Sequence, residues 1–490
     1  MLRFDVPSRG QVPDDAEHRA YVTNHESIPW LCRNQWRDDQ FIVERQVTDS
    51  GYLHFPWRSP SKGTLMLSTG TLVERADPYL LSLELARGTL HRVRQQLFAW
   101  EDQGLRDAAA ASASVREAVN LFARAVACQN SRGEAHDLAV RSIDASLDAG
   151  QRLVERYVNQ VLELRHQSAG QLTTAFGVAL GRRLPSDDEA KLLREAFSAV
   201  TVPMRWRDIE VAAGEFQWDE ADAQMEWCRK AGLKVTAGPL LTLNALTIPD
   251  WVYLWEGDRD GVASLVGQYV KQVVQRFKKR VHLWHCVANR TVTEQLGLTE
   301  EDHLKIIISA IESLRQVDAD APLLVSFDQP WGEHMSRRDV EFAPWFFADA
   351  LVRSDLKVSA LGLEFNIGYT RGCTMRDPVD ISRRLETWST FGVPIIAFLT
   401  VPSQSGVDPA ATEDIEPTNQ AAHICDHWQA NWAVDLVRLL LAKRFVQGIF
   451  WNQWSDAEPH IYPFAGLLDS DGWPKEALYR LTEVRHKYLA

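Results

Sequence analysis

Apolar residues fall along the chain in three successive rhythms. Over the first 75 residues they come as short runs broken by turn formers: LRFDV, QFIVERQV, GYLHFPW and, beyond RSPSKG, GTLMLSTGTLVE. That rhythm predicts the strands of a β-rich, sandwich-like module over residues 1–75. From Asp77 the spacing becomes helical. ADPYLLSLELARGTLHRVRQQLFAWEDQ opens on an Asp-Pro pair, a cap followed by a proline suited to the first helical position. SVREAVNLFARAVACQ and EAHDLAVRSIDASLDAGQRLVERYVNQVLELRHQ continue the period, which predicts a helical region over residues 76–168. Between the first two helices, the Ala/Ser-rich EDQGLRDAAAASAS reads as a surface connection.

From about residue 170 apolar runs of strand length alternate with amphipathic stretches. The runs are TTAFGVAL, SAVTVPM, GLKVTAGPLL, VHLWHCVAN, APLLVSFD, VSALGLEFN, VPIIAFLTV and QGIFWNQW. Stretches such as GVASLVGQYVKQVVQRFKK and TEEDHLKIIISAIESLRQV are long enough to cross over between parallel strands. Eight strands is the number of a (β/α)8 TIM barrel, predicted here over residues 169–490. A doubly wound sheet alternates in the same way, so alternation alone leaves both architectures open.

A chain of 490 residues exceeds the roughly 250–350 of a barrel alone, which fits one barrel plus extra modules. A hydrophobic share of 45% supports a large core, and a net charge of −13 argues against a nucleic-acid partner, which needs a concentrated basic face. The 18 Trp residues fill cores or line a cleft where indole faces stack on sugar rings. No apolar h-region opens the chain and no long apolar run interrupts it, so neither a signal peptide nor a membrane partner is expected, and a cytoplasmic location is the default. The six cysteines are scattered without CxxC spacing, which suits free thiols rather than a zinc site. His282, His285 and Cys286 lie close in sequence, but His285 and Cys286 fall on opposite faces of one strand. No phosphate-binding glycine loop or G-x-S-x-G elbow occurs, and no cofactor or metal is expected.

Several strings carry a resemblance. VPMRWRDIEVAAGEFQWDEADAQMEWCRKAGLKV, PDWV at Pro249 to Val252, and WSDAEPHIYPFAGLLDSDGWPKEALYRL resemble scaffold motifs of glycoside hydrolase family 10, the xylanase family. The resemblance spans about 320 residues and implies a (β/α)8 barrel. It departs at the catalytic positions. Where the family ends strand four in WDVVNE, with the Glu as acid/base, this chain reads HCVANR, so Asn289 keeps the Asn and Arg290 replaces the Glu. Arginine holds its proton near neutral pH and cannot act as that acid/base. At the family's strand-seven nucleophile stands Phe398 or Leu399. The family's inner sugar-site Asn, Lys and two His positions match Val202, Arg205, Pro239 and Asn244, and a Gln and His after strand six match Glu364 and Asn366.

Residues at the carboxyl ends of barrel strands converge on one mouth. Glycoside hydrolysis needs two carboxyl groups, about 5–5.5 Å apart for retention or about 6.5–9.5 Å for inversion. The candidate catalytic carboxylates are Glu364, Glu333 and Asp328, relocated relative to the family. The candidate sugar-binding residues are Arg205, Asn244, Asn289, Arg290, Trp331, Asn366, Trp451 and Trp454. Plainer alternatives stand beside two of them, a salt bridge from Glu364 to Arg290 and a turn cap at Asp328, and Asp456, a further acidic residue after strand eight, suits a scaffold role. Two functions follow. One is a divergent glycoside hydrolase acting on a carbohydrate other than xylan; the other is a non-catalytic barrel that serves as a carbohydrate-binding or interaction scaffold.

Overall fold

The computed structural model describes residues 1–289, 295–337, 342–369, 374–412 and 424–490, the side chains of Ala169, Asn289 and Gln295 excepted. Two four-stranded sheets form the N-terminal region. In the first, Leu2–Asp5 lies between Gln40–Arg45 and Tyr79–Leu80, with Cys32–Arg37 outermost. In the second, Tyr21–Thr23 lies between Pro29–Trp30 and Gly51–Ser59, and Gly63–Leu72 completes the sheet. The apolar faces of the sheets meet where Phe41 and Phe55 pack edge to face at 5.0 Å.

The helical region departs from expectation at two points. Asp77 and Pro78 do not begin the first helix, because Tyr79–Leu80 first extends a sheet, pairing parallel to Phe4 and Asp5. Helix α1 runs from Leu81 to Asp102 once that pairing ends. The stretch AAASAS is not a connection but the first turns of α2, Ala109–Ala127. Alanine is the best helix former, and Ala111 and Ala118 are small enough to be buried as α2 packs on its neighbours. Helix α3, Arg132–Ala169, packs against α1 and α2 and against two barrel helices, Pro378–Ser389 and Asp426–Ala442.

Eight strands then close into a barrel: β1 Ala175–Ala179, β2 Ala199–Val202, β3 Lys234–Ala237, β4 Leu283–Asn289, β5 Leu323–Phe327, β6 Ala360–Asn366, β7 Ile395–Thr400 and β8 Val446–Trp451. Each pairs parallel with its sequence neighbour, and β8 pairs with β1. Closure excludes the doubly wound sheet. Outward residues join the core shared with the surrounding helices, while Ala199, Leu324, Ala360, Ile396, Phe398 and Phe450 fill the interior. Glycines make room for the two interior aromatic rings: a Cβ on Gly177 would lie 2.5 Å from the Phe450 ring. No helix among the described residues is long and apolar enough to cross a membrane.

Candidate functional site

The carboxyl ends of the strands surround a pocket of about 180 Å³, below the ~300–1,000 Å³ usual for sites that enclose a drug-sized molecule. Strand alternation sends every second residue inward. On β6 this places Glu364 in the pocket, and on the adjacent β7 it places Phe398 there, directly paired with Glu364 in the ladder. Leu399 faces the outer core instead.

Glu364 is buried, and Ser326 Oγ on β5 donates to its Oε1 at 2.8 Å. The same hydroxyl lies 2.9 Å from His285 Nε2. Because Ser326 has spent its one proton on the carboxylate, the Nε2–H of His285 must be the donor in that second bond. The His285 ring lines the pocket and stacks on Phe398 at 5.1 Å. Its neighbour Cys286 faces away, and burial pushes its thiol up to about 12, which leaves it inert as a nucleophile.

A second carboxylate, Glu458, reaches the pocket from the loop after β8. It accepts from the backbone N–H groups of Arg182 at 2.5 Å and Arg183 at 3.2 Å, and pairs with the Arg183 guanidinium at 3.4 Å. His460 braces the same loop, with Nε2 2.9 Å from Asp408 Oδ2 and Nδ1 2.8 Å from the Glu458 carbonyl. Thr201 and Trp454 also line this pocket, and Thr201 Oγ1 and Trp454 Nε1 are buried without a hydrogen-bond partner among the described residues.

Not all the residues expected at the mouth gather there. Glu364, Arg205, Asn244 and Trp454 line the pocket. Asn244 uses its Oδ1 locally, accepting from the backbone N–H of Leu246 and Thr247, so only its amide N–H₂ is left to face a ligand. Asn366 is fully buried beyond Glu364, with neither amide atom hydrogen-bonded among the described residues. Asp328 is buried after β5 and does not line the pocket. The Asn289 side chain and Arg290 lie outside the described residues.

Glu333 lies elsewhere than the catalytic role expected of it. It is ion-paired to Arg376, which also donates to Tyr21 Oη at 2.7 Å and pairs with Asp380 at 3.1 Å. This network joins the N-terminal sheet to the barrel, and Thr374 Oγ1 donates to Glu333 at 2.8 Å to complete it. Burial would raise the Asp380 carboxyl, but Arg376, helped by Arg92 and Arg384, outweighs it and holds that carboxyl below its ordinary value. Trp331 is not a sugar platform either: it is buried, edge-on to Phe365 and 4.9 Å beneath the Arg376 guanidinium. Trp451 is likewise buried, and its Nε1 donates to the Ala465 carbonyl at 2.8 Å. Asp456 is a scaffold residue, ion-paired to buried Lys475 and accepting from Gly466 N.

Sequence reading missed Ser326, Thr201 and Glu458. The first two sit at inward positions of their strands, a signal available from alternation; Glu458 depends on how a long loop folds back, which has no local signature.

The closed parallel barrel defines the class first: a (β/α)8 barrel. More particularly, the barrel is like that of glycosyl hydrolase family 10, whose family model matches residues 164–324. A β-1,4-xylanase of Dictyoglomus thermophilum is 29% identical over 98 residues, 20% of this chain and 27% of that relative, so the match spans about a quarter of the relative's length. The structure of a family 10 protein from Paenibacillus barcinonensis superposes with a TM-score of 0.51 at 18% identity, covering 68% of this chain and 98% of that one. Xylanase 10B of Thermotoga maritima gives 0.49 at 19% identity over 67% of this chain and 97% of that one. At 18% identity the Paenibacillus barcinonensis likeness speaks for the fold alone.

Proposed function

We propose that the barrel mouth binds a small carbohydrate and does not hydrolyse it by the two-carboxylate route. The observation that carries this reading is the Glu364–Phe398 pair: one inward carboxylate faces one inward phenyl ring, and both line the same pocket. An acid and a nucleophile or base must both reach the anomeric centre. Phe398 can do neither, Glu333 is committed to Arg376, and Glu458 is held by two backbone amides and a guanidinium. Glu364, Thr201, Trp454 and the Asn244 amide offer hydrogen bonds to hydroxyl groups, with the Phe398 ring as an apolar wall.

The runner-up, a divergent hydrolase, draws its support from Glu364 and Glu458 sharing one pocket. Titration calorimetry with xylo-, cello- and manno-oligosaccharides, run beside a turnover assay on the same sugars, separates the two. Glu364→Gln is expected to weaken binding about tenfold to a hundredfold, the worth of a hydrogen bond to a charged group, with no turnover in either protein. Turnover in the parent chain that both Glu364→Gln and Glu458→Gln abolish establishes the hydrolase instead.

A further inference from the structure

A second cavity, of about 430 Å³ and therefore larger than the mouth pocket, lies between α3 and the barrel. Its barrel wall is one face of helix Asp426–Ala442, where Trp428, Asn431, Trp432 and Asp435 follow each other at helical spacing. The two indoles are half-buried, 6.1 Å apart and tilted by 54°. Asn431 Oδ1 accepts from Arg480 at 2.6 Å, which leaves its amide N–H₂ for another partner. Asp435, one turn on, is exposed and makes no hydrogen bond or ion pair among the described residues.

The other charged groups around the cavity are engaged or balanced. Lys62 pairs with Asp148 at 3.3 Å, Arg438 donates to Asn159 at 2.5 Å, and Arg376 and Asp377 belong to buried ion pairs. Three cations and three carboxylates line the cavity together, so no net field selects an ion. What the cavity offers is two half-buried indoles beside one amide donor and one carboxylate acceptor. Adjacent hydroxyls of a sugar ring satisfy that pair, one accepting from the amide while the other donates to the carboxylate, and the apolar ring face suits indole.

We propose that this groove is a second carbohydrate site, taking a neutral sugar stacked on Trp428 and Trp432 and held by Asn431 and Asp435. It is built from residues separate from the mouth, so the two sites stand or fall independently.

Titration calorimetry of the full chain with cellohexaose, xylohexaose and mannohexaose is expected to resolve two classes of site. Trp432→Ala and Asp435→Ala should each weaken one class by about tenfold or more and leave untouched the class that Glu364→Gln removes. Asp435→Ala alters an exposed side chain and decides the matter if Trp432→Ala does not fold. A single class, lost in Glu364→Gln and unchanged in Asp435→Ala, overturns the groove site and leaves the mouth reading standing. A single class lost only in Asp435→Ala does the reverse. Saturable binding of spermidine at the groove in place of any oligosaccharide overturns the neutral-sugar assignment, and no binding of any probe overturns both sites.

Discussion

Glu333→Gln and Arg376→Met, read together, test whether the carboxylate after β5 is structural. Arg376 is 1% exposed and Glu333 14%, so their ion pair is screened little by water. Removing the guanidinium strands Glu333 and Asp380 together in a buried seam and takes the donor from Tyr21 Oη. Breaking a buried pair from one side costs about 3–5 kcal/mol. Glu333→Gln keeps the shape and one hydrogen bond to Thr374, and loses one charge-assisted bond, a cost of about 1.5–3 kcal/mol. Urea unfolding, monitored by circular dichroism, measures both, and calorimetry on the same samples measures sugar binding. The expected outcome is a stability loss larger for Arg376→Met than for Glu333→Gln, with sugar affinity unchanged in the latter. If Glu333→Gln instead removes binding or turnover while stability moves by less than about 0.5 kcal/mol, the residue acts on substrate and the seam assignment is wrong.

Thr201→Val removes a buried hydroxyl with no partner among the described residues, so stability should hold or rise by up to about 1 kcal/mol while sugar affinity falls; loss of stability without loss of affinity counts against the pocket as a binding site. Phe398→Ala deletes a ring packed on His285 and Phe450 and should cost about 3–5 kcal/mol in urea unfolding; a cost under about 1 kcal/mol contradicts its place in the barrel core. Burial, reinforced by Arg376, holds His54 well below the ordinary imidazole value, so the unfolded chain binds a proton there that the folded chain refuses. Its stabilisation is complete above the unfolded value of about 6.5 and declines as pH falls below it, by at most about 1.4 kcal/mol per pH unit; unfolding at pH 7.5, 6.5 and 5.5 should show a shallower decline in His54→Gln, and equal slopes refute the assignment.

The barrel was legible because its signal is redundant. Each of the eight strands is an apolar run buried on both faces, and the crossover helices fix their direction. The N-terminal sheets were harder to read at their edges. Cys32–Arg37 is an outer strand with mixed exposure and a polar composition, so it shows no alternation; only the turn through Asp38, with φ 51°, joins it to Gln40–Arg45. At the mouth, alternation within a strand placed Glu364 and Phe398 side by side. Whether Trp331 or Trp451 meets solvent depended on Arg376 and on the loop carrying Ala465, which come from distant parts of the chain.

The seam and the mouth put buried polar groups to opposite uses. Around Arg376, a phenol, two carboxylates and a threonine close on each other, and their mutual ion pairs and hydrogen bonds tie the two modules together. In the mouth, Thr201 and Trp454 line the pocket, and Thr201 Oγ1 and Trp454 Nε1 are buried with no hydrogen-bond partner among the described residues. Each such group costs roughly 1–3 kcal/mol if it stays unpaired, and a bound hydroxyl offsets that cost. Two such residues in one pocket with Glu364, and an apolar ring paired with that carboxylate, are what the proposed binding of a polyol rests on. On the proposed reading, Glu364, tied to Ser326 and through it to His285, accepts from a sugar hydroxyl, a task that needs one carboxylate where hydrolysis needs two.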